Sequence, residues 1–263
     1  MDWTEGHANK PENQGNPSRG IFVIGTDTDV GKTYVASLLV GHLASLPVRV
    51  GVYKPVASGA SLGVTSDAHR LIAASGQRWP IQRVCPQSFA APLAPPVAAA
   101  LEGRTVDEGL LATGLDWFRD RCDVVVIESA GGALSPLTSN STVLDLAVRL
   151  SYPLVLVAAH RLGMINHILL TVEALERRGL RLLALIVSQV TVNANPEDDA
   201  AALAAACTPS GATHEVDQLK CSMGPADNAV RMEDSMSMIR SFCGDLPCFC
   251  VAHGGTALSR IAQ

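Results

Sequence analysis

The sequence predicts an α/β fold in which helices cover both faces of a parallel sheet. Short apolar, β-branched runs alternate with helix-period segments, and a glycine-containing loop ending in Gly-Lys-Thr joins the first run to the first helix. The runs "CDVVVIES" and "YPLVLVAAH" are apolar without alternation, the pattern of strands buried on both faces of a parallel sheet.

Taken in order, "GIFVIG" (Gly20 to Gly25) reads as the first strand and "KTYVASLLVGHLAS" (Lys32 to Ser45) as the first helix. "VRVGVYKPVASG" begins as a second strand and ends in a Pro- and Gly-containing loop. "SDAHRLIAASG" follows as a helix capped by Ser66 and stopped by Gly76. The proline-rich stretch "CPQSFAAPLAPPVAAALEG" is expected to loop over one end of the sheet. "TVDEGLLATGLDWFRDR" is expected to form one helix, with acidic residues in its first turn and Arg119 and Arg121 in its last, as the helix dipole favours. "MINHILLTVEALERRG" reads as helix, "LRLLALIVSQV" as strand, and "LPCFCVAH" as a last strand. From Thr191 onward a helix capped near Asn195 is expected, then an ambiguous segment. Residues 20–263 read as one domain, preceded by a flexible tail over residues 1–19 that is rich in Asn, Pro, Gly and Glu.

The net charge of −5 and the absence of a basic run argue against nucleic-acid and membrane-surface partners. No apolar stretch reaches the roughly 20 residues that span a bilayer, and the first residues lack an apolar signal core, so a cytoplasmic location is expected. Seven cysteines without a regular framework read as reduced thiols. Cys243, Cys248 and Cys250, with or without Cys221, lack the C-x-x-C spacing of a zinc site, and His160 and His167 lack zinc-like spacing too.

The loop "GTDTDVGKTYVAS" carries the chemistry. In a phosphate loop, backbone N–H groups cradle phosphate oxygens, a lysine (here Lys32) reaches the terminal phosphates, and a hydroxyl (here Thr33) takes Mg²⁺. Strand, loop and helix N-terminus are in the required order, although Thr26 stands where the usual spacing has glycine. A nucleotide is therefore expected, held by Thr26, Asp27, Asp29, Val30, Gly31, Lys32, Thr33 and Tyr34, and the fold becomes a P-loop NTPase-like sheet. Phosphoryl transfer also needs cations on the transferring group and oxygen ligands for a metal. Lys54, after the second strand, is placed to neutralise an anion, and Ser58 to donate a hydrogen bond to it. Glu128 is delivered to the sheet mouth by a buried strand and requires a cation or metal as partner. Asp67, read by itself, is a helix-dipole carboxylate.

In this order, "GTDTDVGKT", "YKPVASG", "SDA", "ESAGG" followed by "PL", and "RLGMINH" resemble the dethiobiotin synthetase family, over about Ile21 to Val190. The resemblance implies a homodimer that converts 7,8-diaminopelargonic acid, CO₂ and MgATP into dethiobiotin, ADP and phosphate. One amine takes up CO₂ as a carbamate, the carbamate oxygen attacks the γ-phosphate to give a carbamic-phosphoric anhydride, and the second amine closes the ureido ring. It further implies that Lys32 and Thr28 hold phosphates and the carbamate, that Lys54 and Ser58 stabilise the carbamate and the developing charge, and that Thr33, Asp67 and Glu128 surround the metal. Gly163, Met164, Ile165 and Asn166 would bind the distal carboxylate of a substrate held by the other subunit. Three departures stand out: Ser129 replaces the usual glycine, with strain expected if φ must be positive there. Gln189 stands where an adenine-reading asparagine is usual, and the C-terminal adenine-binding segment is not recognisable. The alternative class is a nucleotide-switch ATPase on the same fold, or a catalytically altered relative. Partition-type switches carry an early lysine where this loop has Asp27, which argues for the ligase.

Overall fold

The computed structural model describes residues 19–59, 66–189, 225–244, 246–251 and 259–260. The expected tail and the Asn195-capped helix lie outside these residues, as do Cys207 and Cys221. In chain order the elements are β1 (Gly20–Gly25), α1 (Lys32–Ala44), β2 (Val50–Tyr53), β3 (Ala57–Ser58), α2 (Asp67–Ser75), α3 (Ile81–Val84), β4 (Ser88–Phe89), α4 (Pro95–Leu101) and α5 (Glu108–Thr113). A 3₁₀ turn (Gly114–Phe118) follows, then β5 (Val124–Gly132), α6 (Val143–Leu150), β6 (Leu154–Ala159), α7 (Met164–Glu176), β7 (Leu182–Ser188), α8 (Pro225–Cys243), β8 (Cys248–Val251) and β9 (Ser259–Arg260).

The main sheet has the order β2-β5-β1-β6-β7-β8-β9, parallel throughout except for β9. The chain moves outward from β1 to β2, returns through β5, and crosses to the other flank at β6. The carboxyl end of β1 is therefore the topological switch point, where open α/β sheets open a crevice for ligands. The apolar runs form the centre: Val125, Val126 and Ile127 of β5 and Leu154, Leu156 and Val157 of β6 are inaccessible to solvent. Such burial on both faces requires helices above and below.

Two expectations need correction. The proline-rich stretch is not simply a loop: it contributes β4, which pairs with β3 in a small parallel ribbon, and α4. Pro95 and Pro96 occupy the first turn of α4, where a missing N–H costs no intrahelical bond. The stretch expected as one helix over Thr105 to Arg121 is split into α5 and the 3₁₀ turn at Gly114. Tyr53 explains the break: its buried hydroxyl donates to the carbonyls of Leu110 (2.8 Å) and Leu111 (3.2 Å), and a Cβ on Gly114 would collide with that hydroxyl. The expected strands β1, β2, β5, β6, β7 and β8 and helices α1, α2 and α7 are present, down to Gly76 closing α2 in the left-handed region, whereas β3, α3, α6, α8 and β9 have no counterpart in the sequence reading. Ser66 has the extended backbone of an N-cap, but its hydroxyl pairs with His69 Nδ1 at 2.8 Å instead of capping.

Candidate functional site

The loop between β1 and α1 wraps the switch point. Asp29 and Gly31 take positive φ (53° and 90°), which turns the backbone before α1 begins. Lys32 is buried, and its ammonium folds back to donate to the carbonyl of Asp27 at 2.7 Å. Burial, reinforced by the nearby Lys54, pushes the Lys32 pKa down to about 8, against the pull of Glu128.

Opposite the loop, Lys54 directly follows β2 and β5 carries Glu128, and both side chains are buried. The Lys54 ammonium lies 2.7 Å from Glu128 Oε1 and 3.0 Å from Asp67 Oδ2. Burial alone would lower the Lys54 pKa, but the two carboxylates outweigh it and raise it. Burial would likewise raise Asp67, yet Lys54 and Thr33 hold its carboxyl below the ordinary value. Thr33 also donates to Glu128 Oε1, at 2.6 Å. Thus two carboxylates, a lysine and a hydroxyl from α1, β2, α2 and β5 converge.

They line a cleft of about 540 Å³ together with Thr28, Asp29, Gly31, Lys32, Tyr34 and Ser58. Sequence reasoning missed Arg70, which also lines the cleft one helical turn beyond Asp67, and Ser188 at the end of β7. The i, i+3 spacing from Asp67 was the available signal for Arg70. Val30 is buried beneath the loop. Thr26 and Asp27 face a different cavity, of about 410 Å³, between the loop and α7. There Thr26 N–H donates to Val157 O (2.9 Å), and the Asp27 carboxylate pairs with Arg161 at 2.8 Å. Gln189 does not line the cleft; its N–H donates to Val251 O, tying β7 to β8. Gly163, with φ 88°, opens α7, whose Met164 is buried and Asn166 exposed; none of Gly163, Met164, Ile165 and Asn166 lines this chain's own cleft.

The donor set suits Mg²⁺. Thr33, Asp67 and Glu128 offer only hard oxygens, and Glu128 Oε2 is buried without a hydrogen-bond partner among the described residues. No cluster of three or more His, Cys, Asp or Glu able to hold a metal occurs among them, and Cys85, Cys122, Cys243, Cys248 and Cys250 are free thiols. The strain expected at Ser129 does not arise, because among the described non-glycine residues only Asp29 and Ser151 have positive φ. No helix among the described residues is long and apolar enough to cross a membrane.

The AAA domain family matches residues 19–219. An ATP-dependent dethiobiotin synthetase BioD of Anaeromyxobacter sp. (strain Fw109-5) is 46% identical over 178 residues, spanning 68% of this chain and 80% of that protein. The protein of the same name from Rhodopirellula baltica is 41% identical over 189 residues, spanning 66% and 74%. Among solved structures, that of Cyanthece apo McdA aligns over 89% of this chain and 86% of its own at 13% identity and a TM-score of 0.45, a likeness too loose to bear on activity. With relatives this similar along most of their length, the chain belongs to the ATP-dependent dethiobiotin synthetase family, within the AAA domain group.

Proposed function

We propose that this protein makes dethiobiotin in biotin biosynthesis, joining CO₂ to 7,8-diaminopelargonic acid with hydrolysis of ATP to ADP and phosphate. The observation that carries the reading is Lys54: a buried cation held by Glu128 and Asp67 in the cleft that also contains Lys32 and Thr33. A nucleotide switch has no need of this second lysine. In the ligase, Lys54 and Ser58 stabilise the carbamate and the charge that develops as its oxygen attacks the γ-phosphate, while Lys32 and Thr28 hold the phosphates and the reacting carbamate, and phosphate leaves with that oxygen when the second amine closes the ring. Thr33, Asp67 and Glu128 would hold Mg²⁺, which when bound would supply neutralisation of charge on the transferring phosphate. The lysines act by position: each is fixed before reaction by a partner on this chain, so little reorganisation is needed as charge develops.

The protein acts as a homodimer in the cytoplasm. Supporting the dimer, Gly163 to Asn166 do not line their own cleft, and the neighbouring Leu162, Leu134 and Leu170 are apolar and exposed. The N–H groups opening α7, with Asn166, would then receive the carboxylate of a substrate bound by the second copy. The test is phosphate release with MgATP and bicarbonate, with and without 7,8-diaminopelargonic acid, alongside mass detection of dethiobiotin. Diamine-dependent release matched by dethiobiotin is expected; diamine-independent hydrolysis would overturn the reading.

A further inference from the structure

Ser129 is 2% exposed, and its hydroxyl has no hydrogen-bond partner among the described residues. Buried hydroxyls without partners are uncommon because they lose water and gain nothing in return. Its position is also irregular. Along β5, Val23 pairs with Glu128, but the next pairing joins Gly25 to Gly132, so β5 advances four residues while β1 advances two. Regular alternation would send Glu128 and Ser129 to opposite faces of the sheet. The register shift begins directly after Glu128, where that alternation need not hold, and both residues line the cleft with Lys32 and Lys54.

We propose that Ser129 Oγ is a ligand-contacting donor, completed when an anionic oxygen enters the cleft that Lys32 and Lys54 also line. The proposal rests on the ligase reading given above. A neutral hydroxyl in a cleft that two lysines also line adds direction without adding charge, and a bound anion would give it a hydrogen-bond partner. The oxygen belongs to one of the two anions the reaction brings together, the phosphoryl group or the carbamate. Serine thereby does work at a position where the family usually has glycine.

The test uses the full chain with Ser129→Ala and Ser129→Gly. Three measurements are made: ligand-free melting, calorimetric binding of Mg²⁺ with the β,γ-methylene analogue of ATP, and kcat and KM for 7,8-diaminopelargonic acid. Ser129→Ala is expected to melt no lower than the parent and Ser129→Gly slightly lower, because glycine adds backbone freedom to the unfolded chain, and both are expected to lose roughly 10- to 100-fold in kcat/KM, the worth of a hydrogen bond to a charged group. A loss shared by nucleotide-analogue affinity assigns the phosphoryl oxygen; a loss with that affinity intact assigns the carbamate. Parent-like turnover in both variants would overturn the proposal, as would a defect in Ser129→Ala that Ser129→Gly lacks, since shape would then be the cause. Failure of the parent protein to make dethiobiotin would instead overturn the ligase reading.

Discussion

Lys54 Nζ sits 2.7 Å from Glu128 Oε1, and both side chains are almost wholly buried, at 5% and 1% exposure. A single buried ion of this kind is untenable without its partner, so the pair must be understood together with Asp67, 3.0 Å from the same nitrogen. The cluster holds a cation ready for an anionic ligand and leaves Glu128 Oε2 free for a metal.

Replacing Lys54 by Ala strands that carboxylate. The variant should lose about 3–5 kcal/mol of stability by denaturant titration. Pairing Lys54→Met with Glu128→Gln should restore much of the stability but none of the turnover. Where the single variant still folds, kcat should fall far more than nucleotide affinity; a defect confined to affinity would remove Lys54 from the chemical step.

In the proposed reaction, Lys32→Ala would remove the main positive partner of the transferring phosphate. Loss of a preorganised charge of this kind should cost at least about 100- to 1,000-fold in diamine-dependent phosphate release. Near-parental release would end its assignment to phosphate.

Glu128→Gln keeps the shape of the side chain while weakening it as the metal ligand proposed above. The Mg²⁺ concentration for half-maximal turnover should rise on the order of tenfold, equivalent to about 1.4 kcal/mol. Unchanged magnesium dependence would make Glu128 purely the structural partner of Lys54.

Lys32 also sets a pH dependence. Its pKa falls from 10.5 to about 8 on folding, so between these values the unfolded chain binds the extra proton and this group's contribution to stability rises with pH. Phosphate binding needs the charged form. Nucleotide affinity should therefore decline above about pH 8, with proton uptake on binding. Calorimetry at pH 9 in buffers of different ionisation enthalpy checks this: heats that do not depend on the buffer would refute it.

Away from the cleft, Gly114→Ala would drive a methyl group into the Tyr53 hydroxyl. Overpacking there should cost about 1–3 kcal/mol in thermal or denaturant unfolding while leaving KM unchanged in protein that remains folded.

By itself the sequence determined the alternation of strands and helices, the phosphate loop, and the polar motifs that follow strands. These are local signals: apolar periodicity and glycine chemistry act over a few residues and survive any tertiary arrangement that buries the runs. Asp67 shows where local reading stops, since a carboxylate in a helix's first turn has a sufficient explanation in the dipole until the fold brings Lys54 to 3.0 Å. The break at Gly114 was hidden for the same reason, because the agent is Tyr53, more than fifty residues earlier in the chain. So was the bulge in β5, a mismatch between paired strands that neither strand encodes alone. Sheet order, the capture of Lys54 by two carboxylates and the placing of Ser129 at the cleft were decided only by the tertiary structure, because each depends on distances between segments remote in sequence.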